Sequence, residues 1–287
     1  MKLAASVLGL GAVVSALPGP EIPVSYDGHH VYRIQASTPR DIEAIEHRFA
    51  RYPSVHSAEA LELVIPPGDV ASFEEALGLD ATLLSIDLGA QIRAESAPAH
   101  DTYSRRSMHR RTNGTLPDLS WFDSYHAYAD HLAWWDAVVA AFPGNAEKIT
   151  LGQSYEGRDL HAFHLWGDDG VSSEKPIILW HGTVHAREWI STMVVEYLTY
   201  QLVDGFKKGD ADVTAFLDHY DFWIVPFHNP DGFVYTQTTN RLWRKSRQPR
   251  SNATCIGTDL NRNWVCAPFF FFPSLSCPPF LLDARPV

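Results

Sequence analysis

The 287-residue sequence predicts an α/β fold: a mixed, mainly parallel sheet flanked by helices, preceded by a small α+β domain with an antiparallel sheet. Three observations predict it. Residues 26–92 alternate short strand-like and helix-like patterns. KPIILWHGTVHA and DFWIVPFHNPDGFVY are continuous apolar runs of the kind carried by strands buried on both faces. Between those runs lies a helical pattern, EWISTMVVEYLTYQLVDGF, ending near Gly205. Strand, helix, strand in that order implies a parallel crossover, and ligands of such sheets gather at the carboxyl ends of the strands.

The chain opens with MKLAASVLGLGAVVSALPGP: one lysine, an apolar run and small residues up to Ala16. This is the pattern of a secretory signal peptide, residues 1–16, and the run is too short to span a bilayer. A secreted, extracellular protein is expected. A net charge of −11 argues against nucleic-acid and anionic-membrane partners, both of which need a basic face. Outside the cell Asn113 and Asn252, each in an Asn-X-Thr triplet, are acceptors for glycans, and three cysteines leave at least one unpaired.

In the small domain HHVYRIQA places Tyr32, Ile34 and Ala36 on one face of a strand. Thr38-Pro39 then starts a helix with Ile42, Ile45 and Phe49 on one side. ALELVIPP gives a second strand with Leu61, Leu63 and Ile65 inward. A helix over Asp69–Leu77 turns Val70, Phe73 and Leu77 inward, and ATLLSIDLGAQI returns as a strand. The segment after it is polar and carries Arg105-Arg106 and Arg110-Arg111, which suit a processing protease because such linkers are extended and solvated. Cutting at Arg111 makes residues 17–111 a pro-region. The second domain, 112–264, continues with an aromatic helix region, SWFDSYHAYADHLAWWDAVVAAF, and with paired strands around Gly157.

His185 and Glu188 stand three residues apart at the end of the first apolar run, where a helix begins. That spacing suits two ligands of a zinc ion, but His56 and Glu59 share it, and a capped helix start beside a surface histidine is the alternative. Downstream, Arg241, Arg244 and Arg247 are three apart, and Asn261 precedes Arg262. Guanidinium groups in such number suit a carboxylate and a developing oxyanion, or else a solvated basic face.

These motifs, YDGHHVYRIQAST, SWFDSYHAYADHL, YEGRDL, HGTVHAREWIS, PFHNPDGFVYT, NRLWRKSR and CIGTDLNRNW, occur in the order found in zinc carboxypeptidases of the A and B kind, and the chain resembles that family. The resemblance implies Zn2+ as cofactor with His185 and Glu188 as metal ligands, Arg187 as a substrate-binding residue and Arg244 as the catalytic stabiliser of the oxyanion. It implies that Asn261 and Arg262 grip the substrate's terminal carboxylate. The substrate it implies is a peptide or protein C-terminus, with the pro-domain as a partner in cis.

The family's domain goes on to a third zinc-binding histidine and a general-base glutamate, whereas after Trp264 this chain has no histidine, no glutamate and one acid, Asp283. An inactive chain is expected, since two protein ligands hold zinc poorly and no base activates water. Residues 265–287, beginning VCAPFFFFPSLSC, have the composition of a translated polypyrimidine tract and are expected to be intron-derived. Cys255 and Cys277 have a loop length that permits a disulfide. A non-catalytic secreted binder, or a pro-domain acting as a protease inhibitor, is the alternative to an enzyme precursor.

Overall fold

Alternating apolar side chains build strand β1 (His30–Gln35), with Ile34 fully buried, and Thr38 starts helix α1 (Pro39–Arg48) through a reciprocal capping box with Asp41. The computed structural model to which these elements belong describes residues 21–36, 38–56, 60–77, 80–96, 114–172, 174–249 and 255–264. The leader at 1–16, the dibasic linker, Asn113, Asn252, Cys266, Cys277 and the tail at 265–287 lie outside the described residues.

The small domain continues through β2 (Ser54–His56), β3 (Ala60–Ile65), α2 (Val70–Leu77), β4 (Ala81–Ser85) and α3 (Leu88–Ser96). Its antiparallel sheet has the order β2-β3-β1-β4. Leu61, Leu63, Ile65, Phe73 and Leu77 pack with Ile42, Ile45 and Phe49 into one core, the inward set expected. ATLLSIDLGAQI differs from expectation, because only its first half is strand. Asp87 accepts hydrogen bonds from the Gly28 and Ala90 amides, both at 3.0 Å, and so starts a helix where a strand was expected.

In the second domain a 3₁₀ turn (Leu119–Asp123) leads to α4 (Tyr128–Ala141), the hairpin strands β5 (Ala146–Gln153) and β6 (Asp159–Leu165), and β7 (Ile177–His181). Next come α5 (Trp189–Lys207), α6 (Ala211–His219), β8 (Asp221–Val225) and α7 (Pro230–Thr238). Gly157 at φ +80° makes the hairpin turn, a conformation glycine reaches without steric cost. The sheet, ordered β5-β6-β8-β7, is mixed as expected. Its parallel share is smaller than expected: β7–β8 is parallel, while β5–β6 and β6–β8 are antiparallel.

One face of this sheet is well covered. Trp121, Trp134, Trp135, Phe163, Phe222 and Ile224 are fully buried against α4 and α5. On the other face β7 departs from the expectation of burial on both sides, with Ile177 66% and Leu179 58% exposed. It is the edge of the described sheet, and alternate side chains of a strand point to opposite faces. Leu151, Leu179, His181, Val225, His228 and Trp264 line an apolar hollow of about 240 Å³ there.

Candidate zinc and substrate site

The carboxyl ends of β7 and β8 are stitched together by the backbone. Gly182 N donates to Val225 O at 2.9 Å, His228 N to Gly182 O at 3.0 Å and Asn229 N to Thr183 O at 3.0 Å. Thr183 takes φ +51°, rare for a β-branched residue, and is held by the Ser191 hydroxyl on its amide (2.8 Å) and by Thr192 against its own hydroxyl. Asn229 caps α7 through the Gly232 amide and donates to Lys245 O, each at 3.0 Å, which anchors the loop carrying the arginines. A Cβ on Gly232 would lie 2.8 Å from the Ala186 Cβ, so glycine lets α7 press against the His185–Glu188 loop.

That loop places His185, which is buried, just ahead of Glu188, the N-cap position of α5. His185 Nδ1 is 2.9 Å from Glu188 Oε1, and His185 Nε2 is 3.2 Å from Asp259 Oδ1. Arg244 donates from Nε to Asp259 Oδ2 at 3.0 Å and lies 3.5 Å from Glu188, and its carbonyl accepts from Ala186 N at 3.1 Å. Burial pushes the Glu188 carboxyl up, but the His185 hydrogen bond and the charges of His185, Arg244 and Arg187 outweigh it and hold it below its ordinary value. Asp259 is likewise held low: burial raises it, and the Arg244 contact, the Asn261 amide and His185 more than reverse that.

His185, Glu188 and Arg244 are therefore brought together. Arg187 lies beside them but turns to the small domain, donating to Ser54 O at 3.1 Å, and burial followed by repulsion from Arg244 lowers its pKa. Asn261 and Arg262 stand apart on an exposed 3₁₀ turn (Leu260–Arg262) that Asp259 caps; Asn261 Oδ1 accepts from Trp264 Nε1 at 2.8 Å. Asp259 is a residue that sequence reasoning missed. Its signal was its place as the one carboxylate between Arg244 and Asn261.

One imidazole nitrogen and one carboxylate converge, and His185 is backed by a second carboxylate, the partner that metal-ligating histidines ordinarily have. In kind these donors fit zinc. In number they make half a site, because no cluster of three or more His, Cys, Asp or Glu side chains able to hold a metal occurs among the described residues.

The small domain covers this region from above. Glu95 grips Arg241 with a fork of 2.8 and 3.0 Å, while Arg241 stacks 3.8 Å over Trp189 and donates to Arg187 O at 2.8 Å.

A mixed α/β sheet whose strand ends bring a histidine–glutamate pair beside arginines offers the crevice in which such sheets hold ligands. Residues 131–277 match the family model described as zinc carboxypeptidase, and the chain belongs to that family. The chain is 39% identical over 269 residues to a protein named probable metallocarboxypeptidase A from Trichophyton verrucosum (strain HKI 0517), covering 91% of this chain and 60% of that protein. It is 42% identical over 249 residues to metallocarboxypeptidase A from Arthroderma otae (strain ATCC MYA-4605 / CBS 113480), covering 84% and 56% respectively. The chain thus spans little more than half the length of these relatives. A solved structure, thrombin activatable fibrinolysis inhibitor, shares the fold at a TM-score of 0.67 with 24% identity, over 83% of this chain and 59% of that one.

Proposed function

We propose that the chain is the precursor of a secreted zinc carboxypeptidase that removes C-terminal residues from peptides. The observation that carries this reading is the convergence of His185, Glu188, Asp259 and Arg244 within one hydrogen-bonded cluster at the strand ends. His185 and Glu188 are the zinc ligands, and Asp259 orients the imidazole. Zinc, when bound, supplies Lewis-acid polarisation of the scissile carbonyl and a more acidic water. Arg244, fixed by Asp259, offers guanidinium donors where negative charge develops on the carbonyl oxygen. Arg187 lines the approach to the scissile bond, and Asn261 and Arg262 receive the free carboxylate, which gives the exopeptidase preference.

The small domain is the pro-region, with its boundary at the dibasic linker, and it acts in cis. Its support is the occupation of Arg187 by Ser54 O and of Arg241 by Glu95, which bars a peptide from the arginine side of the cleft. Residues 1–16 direct secretion, and no helix of the described residues is long and apolar enough to cross a membrane. No turnover is expected of the site as described, because among the described residues it gathers two protein ligands and no cluster of three.

The test is release of the terminal residue from short peptides, read alongside zinc content, with the chain before and after cutting at the linker. Weak zinc binding that His185→Ala abolishes, with no release, supports the reading. Absence of any zinc difference between the two proteins refutes the ligand assignment. N-terminal sequencing of secreted material checks the leader and the linker cut separately.

A further inference from the structure

Ahead of β1 the chain runs along the second domain. Val24 N donates to Thr239 O at 2.7 Å, the Tyr26 hydroxyl donates to Asn240 Oδ1 at 2.7 Å, and Glu21 Oε1 accepts from an Arg247 terminal nitrogen at 2.8 Å. Leu242 packs against Tyr26, Val31 and Val64 beside these bonds. The contacts are separate from those that Glu95 and Ser54 make with Arg241 and Arg187.

Arg247 is unusual among the cations of this domain. Its side chain is 8% exposed, and its guanidinium lies 3.6 Å over the Tyr235 ring and 4.7 Å over the Trp243 ring. Its Nε has no hydrogen-bond partner and stands 3.7 Å from Glu156. A buried guanidinium is costly unless an anion meets it, and aromatic faces strengthen its hold on one by excluding water. The Tyr235 hydroxyl, whose pKa burial pushes up to about 12 with help from Glu21, stays neutral and hydrogen-bonds the same carboxylate. Arg247, Tyr235 and Trp243 thus form a box whose close anion is delivered by the N-terminal arm.

We propose that Glu21–Tyr26 is a strap and that the Arg247–Tyr235–Trp243 box is its carboxylate receptor, holding the small domain on the second domain independently of the covalent linker. The proposal rests on the precursor reading and deepens it. Cutting the linker leaves the pro-region seated, and its departure requires Glu21 to leave the box.

The test uses the full chain with a sequence-specific protease site in place of residues 105–111, cut and then passed over a sizing column in physiological salt. The two pieces co-elute. Glu21→Gln, which keeps the shape and removes the charge, raises their dissociation constant about tenfold, the effect of about 1.4 kcal/mol on binding. Tyr26→Phe raises it less, and Glu62→Gln, which breaks an exposed pair with Arg33 inside the small domain, leaves it unchanged. Circular dichroism of each variant confirms folding. Separation of the wild-type pieces on cutting, or a Glu21→Gln constant within twofold of wild type, overturns the strap. The assay reads domain retention alone, so failure of the precursor reading appears instead in N-terminal sequencing of secreted material.

Discussion

Glu196 is fully buried on α5, where it accepts from Trp121 Nε1 at 2.9 Å and meets His131 Nδ1 at 2.8 Å. Removing it strands two buried polar groups at once, so Glu196→Ala is expected to cost about 3–5 kcal/mol, measured by denaturant titration. A loss under about 1 kcal/mol contradicts the assigned network. Asp259 has a different task. Asp259→Asn keeps the side chain's size but weakens its hold on His185 Nε2 and Arg244, and the expected outcome is a roughly 10–100-fold loss of zinc affinity in competition with a chelator. The nearness of His185 and Glu188 was legible from their place at the end of an apolar run, while their reading as metal ligands came from the resemblance and not from the spacing, which His56 and Glu59 share. Asp259 was not, since 74 residues separate it from the imidazole it supports and only folding brings them together. The Glu95–Arg241 fork, 146 residues apart, was hidden for the same reason.

Elements were legible where periodicity was strong and misread where a single cap decided. Helix α1 follows from Thr38 and its apolar stripe, whereas the apolar pattern of α3 reads as strand because Asp87 acts through two amides that the pattern does not show. Strand β7 reads as doubly buried, yet its outward side chains Ile177 and Leu179 are exposed in the described fold. An edge strand with an apolar face invites pairing with other chains. Leu179→Lys is therefore expected to raise the soluble fraction on expression without altering the far-ultraviolet spectrum; an unchanged fraction would mean that this face is not what drives association. The contact of α7 with the His185–Glu188 loop is tighter. Gly232→Ala brings a methyl group within 2.8 Å of Ala186 and 2.5 Å of the Asn229 amide nitrogen, and is expected to cost about 1–3 kcal/mol in thermal denaturation.

At the scale of the whole molecule, two domains meet through charge. Arg187, Arg241 and Arg247 each receive an oxygen from the N-terminal side of the chain, and the arginine triplet, which by pattern suited either an oxyanion-and-carboxylate site or a solvated basic face, divides its work. Arg244 faces Glu188 and Asp259, while Arg241 and Arg247 hold Glu95 and Glu21. The α/β class and the preceding small domain were visible from patterning, whereas their seating on each other depended on ion pairs that no local pattern reveals. Tyrosines in both domains link stability to alkali. Burial first, then neighbouring carboxylates, push Tyr32 and Tyr235 up to about 12, and burial does the same for Tyr128. A folded pKa above the unfolded value of 10.0 favours the neutral form in the fold, so this stability is intact below pH 10.0 and declines from there to about 12. Denaturant midpoints between pH 9 and 11 are expected to be flat in the lower part of that range and to fall toward its upper end; a decline complete by pH 9 would contradict the assignment.

Equilibrium dialysis of the 287-residue chain against zinc, beside His185→Ala, probes the paired donors at the strand ends most directly. The account predicts weak, chelator-sensitive binding that disappears when the imidazole is removed, as two protein donors with no third among the described residues should give. Tight one-to-one occupancy, or binding that the substitution leaves untouched, would contradict it.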